Sequence, residues 1–129
     1  MTDNYTPPFT ATESITNLVI EIAELTERIS LSDRLSRNPK LRRENRIRSI
    51  HSSLAIEQNS LTMDQVSDII DGKRVLGPPQ DIREVKNAYE AYELLTRLNP
   101  YSIKDLLKAH KVMMSDLVKE SGTFRSRGV

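Results

Sequence analysis

Ser53 and Glu57 stand four residues apart in Ser52-Ser53-Leu54-Ala55-Ile56-Glu57-Gln58-Asn59, a stretch with helical character. On a helix, residues i and i+4 stack on one face a turn apart, so the Ser53 hydroxyl can donate to the Glu57 carboxylate and fix its rotamer. A carboxylate held that way can be presented to a cation outside the helix. A glutamate that simply faces solvent is the plainer reading of the same two residues. His51 beside Ser52 and Ser53 suggests a nucleophile pair, but neighbours on a helix point about 100° apart and do not meet. The only other histidine, His110, falls on an apolar helix face, where a hydrogen-bonded core role is expected. Neither histidine sits in a zinc-binding spacing, and there is no cysteine to supply a thiolate. Gly72 and Gly77 bracket four residues but lack the Lys-Ser/Thr of a phosphate-cradling loop. No self-sufficient active site is legible.

The elements that must position Ser53 and Glu57 are helical. A chain of 129 residues with 37% hydrophobic content fits one domain with a modest core, and a net charge of +1 commits it to neither nucleic acid nor membrane. No apolar run approaches the ~18 residues of a membrane span, and Met1-Thr2-Asp3-Asn4 has no signal-peptide pattern, so a cytoplasmic protein is expected. Residues 1–9, with Tyr5, Pro7, Pro8 and Phe9, read as an extended arm pinned by its aromatics, or as a frayed tail. Thr10 to Glu13 has capping-box spacing, and Ile15, Leu18, Val19, Ile22, Leu25 and Ile29 then recur on one face of an amphipathic helix.

Asn38-Pro39 predicts the start of a second helix whose apolar face is Leu41, Ile47, Ile50 and Leu54. The basic run from Asp33 to Arg48, with Arg34, Arg37, Lys40, Arg42, Arg43, Arg46 and Arg48, is expected to be a solvated face paired to the acidic first helix. No interleaved aromatics favour nucleic acid. Thr62 and Gln65 form a second capping box, before a short helix closed by Asp71-Gly72. Asp81 is placed to cap the next helix, with Val85, Ala88, Tyr89, Tyr92, Leu95 and Leu98 inward and Asn99-Pro100 at its end. Ser102 opens the last, with Leu106, Leu107, His110, Met113, Met114 and Leu117 inward and Ser121-Gly122 as the stop. Nothing alternates like a strand. The expected fold is an all-α bundle of about five helices.

Beyond these patterns, the stretch from Arg46 to Asn59 resembles the segment of Fic-family proteins that carries the inhibitory-helix motif, [Ser/Thr]-x-x-x-Glu-[Gly/Asn]. Tyr5-Thr6-Pro7-Pro8-Phe9 is similar to the family's N-terminal arm, and Leu61 to Pro79 to the helix and loop after the inhibitory helix. Pro100 to Met114 resembles the first helix of the Fic domain proper. Gly122-Thr123-Phe124-Arg125 matches the Gly-x-[Phe/Tyr]-Arg that leads into the substrate-aligning flap. The resemblance implies an arm over 1–9, a regulatory region over 10–80, and the beginning of a Fic domain over 81–129.

Two departures stand out. Gln58 follows the glutamate where the family has Gly or Asn; if that position needs a positive φ, Gln costs roughly 1 kcal/mol there relative to Gly. Asn59 could instead close the helix one residue later. The signature His-x-Phe-x-[Asp/Glu]-Gly-Asn-Gly-Arg has no counterpart before the sequence stops at Val129, so the chain is expected to be the front half of a Fic protein, inactive alone.

The family transfers AMP from ATP, with Mg²⁺, to a hydroxyl of a target protein. Carried over by motif, Glu57 is the inhibitory glutamate and Ser53 its orienting hydroxyl, with ATP and Mg²⁺ belonging to the complete protein. The implied partner is the missing catalytic half, in the same or another chain. Its absence is expected to leave Leu106, Met113, Met114 and Leu117 more accessible than a finished core allows, unless another copy or chain covers them. Two other readings remain: a separate antitoxin-like subunit acting in trans on a Fic domain, and a small helical DNA-binding module.

Overall fold

The computed structural model describes residues 7–32 and 38–128. Tyr5, Arg34 and Arg37 lie outside the described residues. Five α-helices and a short 3-10 turn make up the regular structure, and no strand occurs among the described residues. The fold is all-α. Residues 1–42 and 43–129 form two compact units.

In the first unit, α1 (Glu13–Ser32) begins two residues later than its capping signal suggested. The hydroxyl that accepts from the helix is Thr12, bonded by the Ile15 amide at 3.3 Å, and not Thr10. Thr16 and Thr26 return their hydroxyls to carbonyls four residues back. The row Ile15, Leu18, Val19, Ile22, Leu25 is exposed along its length. The next helix, α2 (Pro39–Ile56), starts where Asn38-Pro39 placed it. Pro39 lacks the amide that a first helical position leaves unused, and the Asn38 side chain accepts from the Leu41 amide at 3.1 Å.

The second unit holds the core. Ile47 and Ile50 of α2, Leu61, Val66 and Ile69 around α3 (Met63–Ile70), and Val85 and Ala88 of α4 (Pro79–Leu94) pack together. Ile50 and Val85 are completely buried; truncating either to Ala removes burial worth about 2–5 kcal/mol. At the head of α3 the Thr62–Gln65 capping box is formed in both directions, at 2.9 and 3.2 Å. Two arginines of the basic run lie along the surface of the same body and are paired there. Arg43 pairs with Asp71 and reaches Ser67, and Arg46 pairs with Glu93. Their partners are on the third and fourth helices, not on the acidic first one.

Three expectations for the C-terminal part are corrected. Asp81 does not cap α4, whose first turn opens on Pro78 and Pro79; its carboxylate is bonded elsewhere. Leu95 falls in the 3-10 turn Leu95–Arg97 and is 61% exposed, because the tighter turn rotates it off the inner face. α5 (Ile103–Met113), capped by Ser102, ends well before Ser121-Gly122. Asp116 takes a φ of +60°, which a continuing helix cannot contain. None of α5 is buried. Of the four side chains expected to be accessible, Leu106 is 61% exposed, whereas Met113, Met114 and Leu117 are half-buried and Met113 packs against the core.

Candidate functional site at the end of α2

Glu57 closes α2. Its last turn ends in a Schellman arrangement, in which the Asn59 amide reaches back to the Leu54 carbonyl at 3.0 Å and the Gln58 amide to that of Ala55 at 3.1 Å. This geometry requires the residue after the cap to be left-handed, and Gln58 has a φ of +69°. The position after the glutamate therefore does need positive φ, and Gln bears the cost that Gly would avoid. Asn59 is not the left-handed residue; Gln58 is.

Ser53 and Glu57 share a face as the spacing required, but the hydroxyl is spent on the backbone. Its Oγ donates to the carbonyls of Ser49 (2.8 Å) and Ile50 (3.1 Å), the usual recourse of serine inside a helix. The expected Ser53–Glu57 hydrogen bond is not formed. Glu57 itself is exposed, and no hydrogen bond or ion pair among the described residues ends on its carboxylate.

That carboxylate sits on a groove lined by Ser53, Leu54, Glu57, Glu84, Met113, Met114 and Leu117. Its walls are α2 and α4, and its apolar floor is the end of α5 with the turn behind it. Glu84 was not singled out by the sequence. One of its oxygens accepts from Asn59 at 2.8 Å and the other from Gln80 at 3.2 Å. The groove thus carries one tethered and one untethered carboxylate, and no cationic side chain lines it. Such a surface repels a triphosphate and attracts a guanidinium or ammonium. The residues lining this groove do not fit a triphosphate. Among the described residues no three His, Asp or Glu side chains converge as a metal site.

The loop between α2 and α3 is fastened to α4. Asn59 Nδ2 also donates to the Asp81 carbonyl (3.1 Å), and its Oδ1 accepts from the Leu61 amide (3.1 Å). Asp81 accepts from the Ser60 hydroxyl (2.6 Å) and amide (2.8 Å), which holds its carboxyl below the usual range. On the other side, buried Asn87 donates to the carbonyls of Met113 (3.1 Å) and Ser115 (2.7 Å), fixing the floor of the groove to α4. Sequence reading missed Asn87; a lone amide on an otherwise apolar helix face was the available signal.

Phe124 and Arg125 line a second groove that shares Met114 with the first. The Gly122 amide donates to His110 Nδ1 at 2.8 Å, so that nitrogen carries no proton, as a hydrogen-bonded structural histidine requires. Gly122 has a φ of +76°, and a Cβ there would come within 2.6 Å of Lys111 Cβ. Only glycine fits. Phe124 is 69% exposed, and Arg125 is exposed as well.

The whole arrangement superposes on a solved structure, the crystal structure of a Fic family protein from Desulfovibrio desulfuricans G20, with a TM-score of 0.89 and 50% sequence identity over 95% of this chain. The chain is similar to part of a Fic-family protein. It spans 38% of the length of that relative. No protein-family model and no curated protein matches the sequence. The two segments that resemble family motifs in the sequence take the form of an end-of-helix glutamate on an acidic, apolar-floored groove and a glycine-anchored segment leading away from His110. No helix among the described residues is long and apolar enough to cross a membrane.

Proposed function

We propose that this chain is the regulatory part of a Fic protein adenylyltransferase, in which Glu57 suppresses AMP transfer from ATP to a hydroxyl of a target protein. The observation that carries this reading is the state of Glu57. It is an exposed carboxylate at a helix end, with no partner among the described residues, on the rim of a groove that selects for cations. The rest of a Fic domain, in the same or another chain, supplies the arginine that ends the family's signature and holds the nucleotide phosphate. Glu57 engages that guanidinium and repels the nucleotide phosphate that would otherwise bind it. A 100-fold suppression requires about 2.7 kcal/mol. One charge-assisted, partly desolvated pair supplies roughly 1.5–3 kcal/mol, so a single residue suffices.

Ser53 contributes less than the motif implies, since its hydroxyl already bonds two carbonyls. A DNA-binding role is disfavoured by Arg43 and Arg46, whose guanidinium groups are engaged by Asp71 and Glu93.

The test is Glu57→Gly in the chain joined to, or mixed with, the remaining part of a Fic domain. Labelling of the protein or its target by radioactive ATP should rise at least tenfold, about 1.4 kcal/mol or more of restored transition-state stabilisation. Unchanged labelling would remove Glu57 from the mechanism.

A further inference from the structure

We infer that Asn59 is the positioning residue that aims Glu57, by tying the strained turn after it to α4. The inference deepens the reading of Glu57 as an inhibitory carboxylate and rests on it.

The turn that ends α2 has a problem of its own making. Gln58 must hold a φ of +69° without being glycine, so the chain gains by unwinding the last turn and relaxing Gln58 into an ordinary region. A Schellman ending is often secured by an apolar contact from the residue after the left-handed one back onto the helix. Here that residue is Asn59, which cannot supply it. Its side chain turns away from α2 and makes three hydrogen bonds, donating to the Asp81 carbonyl and Glu84 and accepting from the Leu61 amide. Ser60 adds two more to Asp81. The backbone of 59–61 is thereby clamped to the first turns of α4. Its Asn59 amide is also the donor that closes the helix on Leu54. Glu57 is two residues before the clamp and has no tether of its own. Fixing Asn59 therefore fixes the direction in which Glu57 leaves the helix.

Glu84 has a part in this. It lines the same groove as Glu57, and its carboxylate is the acceptor that orients the Asn59 amide. An aspartate at 59 could still accept from Leu61, but it would lose both donors and set a second negative charge against Glu84.

The experiment measures AMP transfer from labelled ATP in the chain joined to, or mixed with, the remaining part of a Fic domain. It uses Asn59→Ala, Asn59→Asp, Glu57→Gly and the double variant Asn59→Ala/Glu57→Gly, with a thermal melt of each. Asn59→Ala and Asn59→Asp should each raise transfer about three- to tenfold, less than Glu57→Gly, while the double variant transfers no faster than Glu57→Gly. A merely structural role would lower transfer in the double variant along with the melting temperature. If Glu57→Gly releases transfer and both Asn59 variants remain at the parent rate, Asn59 does not aim Glu57, and the inhibitory glutamate stands without it. If Glu57→Gly leaves transfer unchanged, both readings fall. Should Asn59→Ala not fold, Asn59→Asp decides, because it keeps the bond that Leu61 needs.

Discussion

Two helix ends in this molecule are built on one hydrogen-bond plan and finished with different residues. At the end of α3, the Lys73 amide reaches back to Asp68 (2.9 Å) and the Gly72 amide to Ile69 (3.0 Å). At the end of α2, Asn59 and Gln58 make the same pair of bonds to Leu54 and Ala55. The left-handed position is glycine in the first and glutamine in the second, with φ values of +76° and +69°. The next residue differs as well. Lys73 folds back onto its own helix and pairs with Asp68 at 2.7 Å, whereas Asn59 reaches across to α4. One end is closed by its own residues. The other is strained where it leaves the helix and held from outside, and that end carries Glu57. Local agreement at α3 and local conflict at α2 fit the expectation that sequences depart from their own structural rules mainly at functional positions.

The comparison can be broken most forcefully at Gly72. A Cβ built there meets nothing within 4 Å, so a substitution tests the backbone conformation alone. Gly72→Val should cost about 1–2 kcal/mol, the strain of a left-handed β-branched residue, and lower the melting temperature by roughly 5–10 °C. A melt unchanged within a degree would show that this helix end is not held in the left-handed form, and the parallel with α2 would lapse.

Gln58→Gly runs the opposite way. Removing the left-handed strain gains about 1 kcal/mol, and the freer unfolded chain gives back part of it, leaving a net gain of several tenths. The melting temperature should rise by about 2–4 °C. Gln58→Asn should fall between, because Asn tolerates this conformation better than Gln. A destabilised Gln58→Gly would mean that the glutamine side chain contributes something that outweighs its backbone cost.

How far these features could be read from the sequence depends on how local their partners are. The Asn38-Pro39 start and the Thr62–Gln65 box were legible, because every group involved lies within a few residues. The apolar face of α2 was legible through Ile47 and Ile50 for the same reason of periodicity. The clamp was not: Asn59 bonds residues 22 and 25 positions away, and nothing in its neighbourhood points to them. Asp81 looked like a cap because it sits at a helix start, yet its carboxylate serves Ser60. The spacing of Ser53 and Glu57 placed them on one face correctly but could not show that the hydroxyl prefers the Ser49 and Ile50 carbonyls. The end of α5 was overrun because Met114 and Leu117 continue the apolar period past the point where Asp116 turns the backbone. The glutamate itself was a bland surface residue on physical grounds, and its significance came from resemblance.

The smallest effects separate the two ends by pH. Asp81, on the α2 side, has its carboxyl lowered from the ordinary 3.8, chiefly by the Ser60 hydroxyl and then by the Ser60 amide. A group depressed in the folded state adds stability above its unfolded value, and that contribution is lost as pH falls below 3.8 through the folded value. Lys73, on the α3 side, is raised from 10.5, first by its hydrogen bond to Asp68 and next by the charge of the same carboxylate. Its contribution is complete below 10.5 and is lost as pH climbs above it through the folded value. Acid should therefore remove the contribution of the Ser60–Asp81 bonds, and alkali that of the Lys73 ammonium. Both groups are well solvated, so each shift is a small fraction of the total stability. Urea midpoints from pH 2 to 5 should converge between the parent chain and Asp81→Asn as pH falls. Those from pH 9 to 12 should converge between the parent and Lys73→Met as pH rises. Curves that stay parallel across the acid range would show that the Ser60–Asp81 bonds add nothing in solution, leaving Asn59 alone to hold the turn behind Glu57.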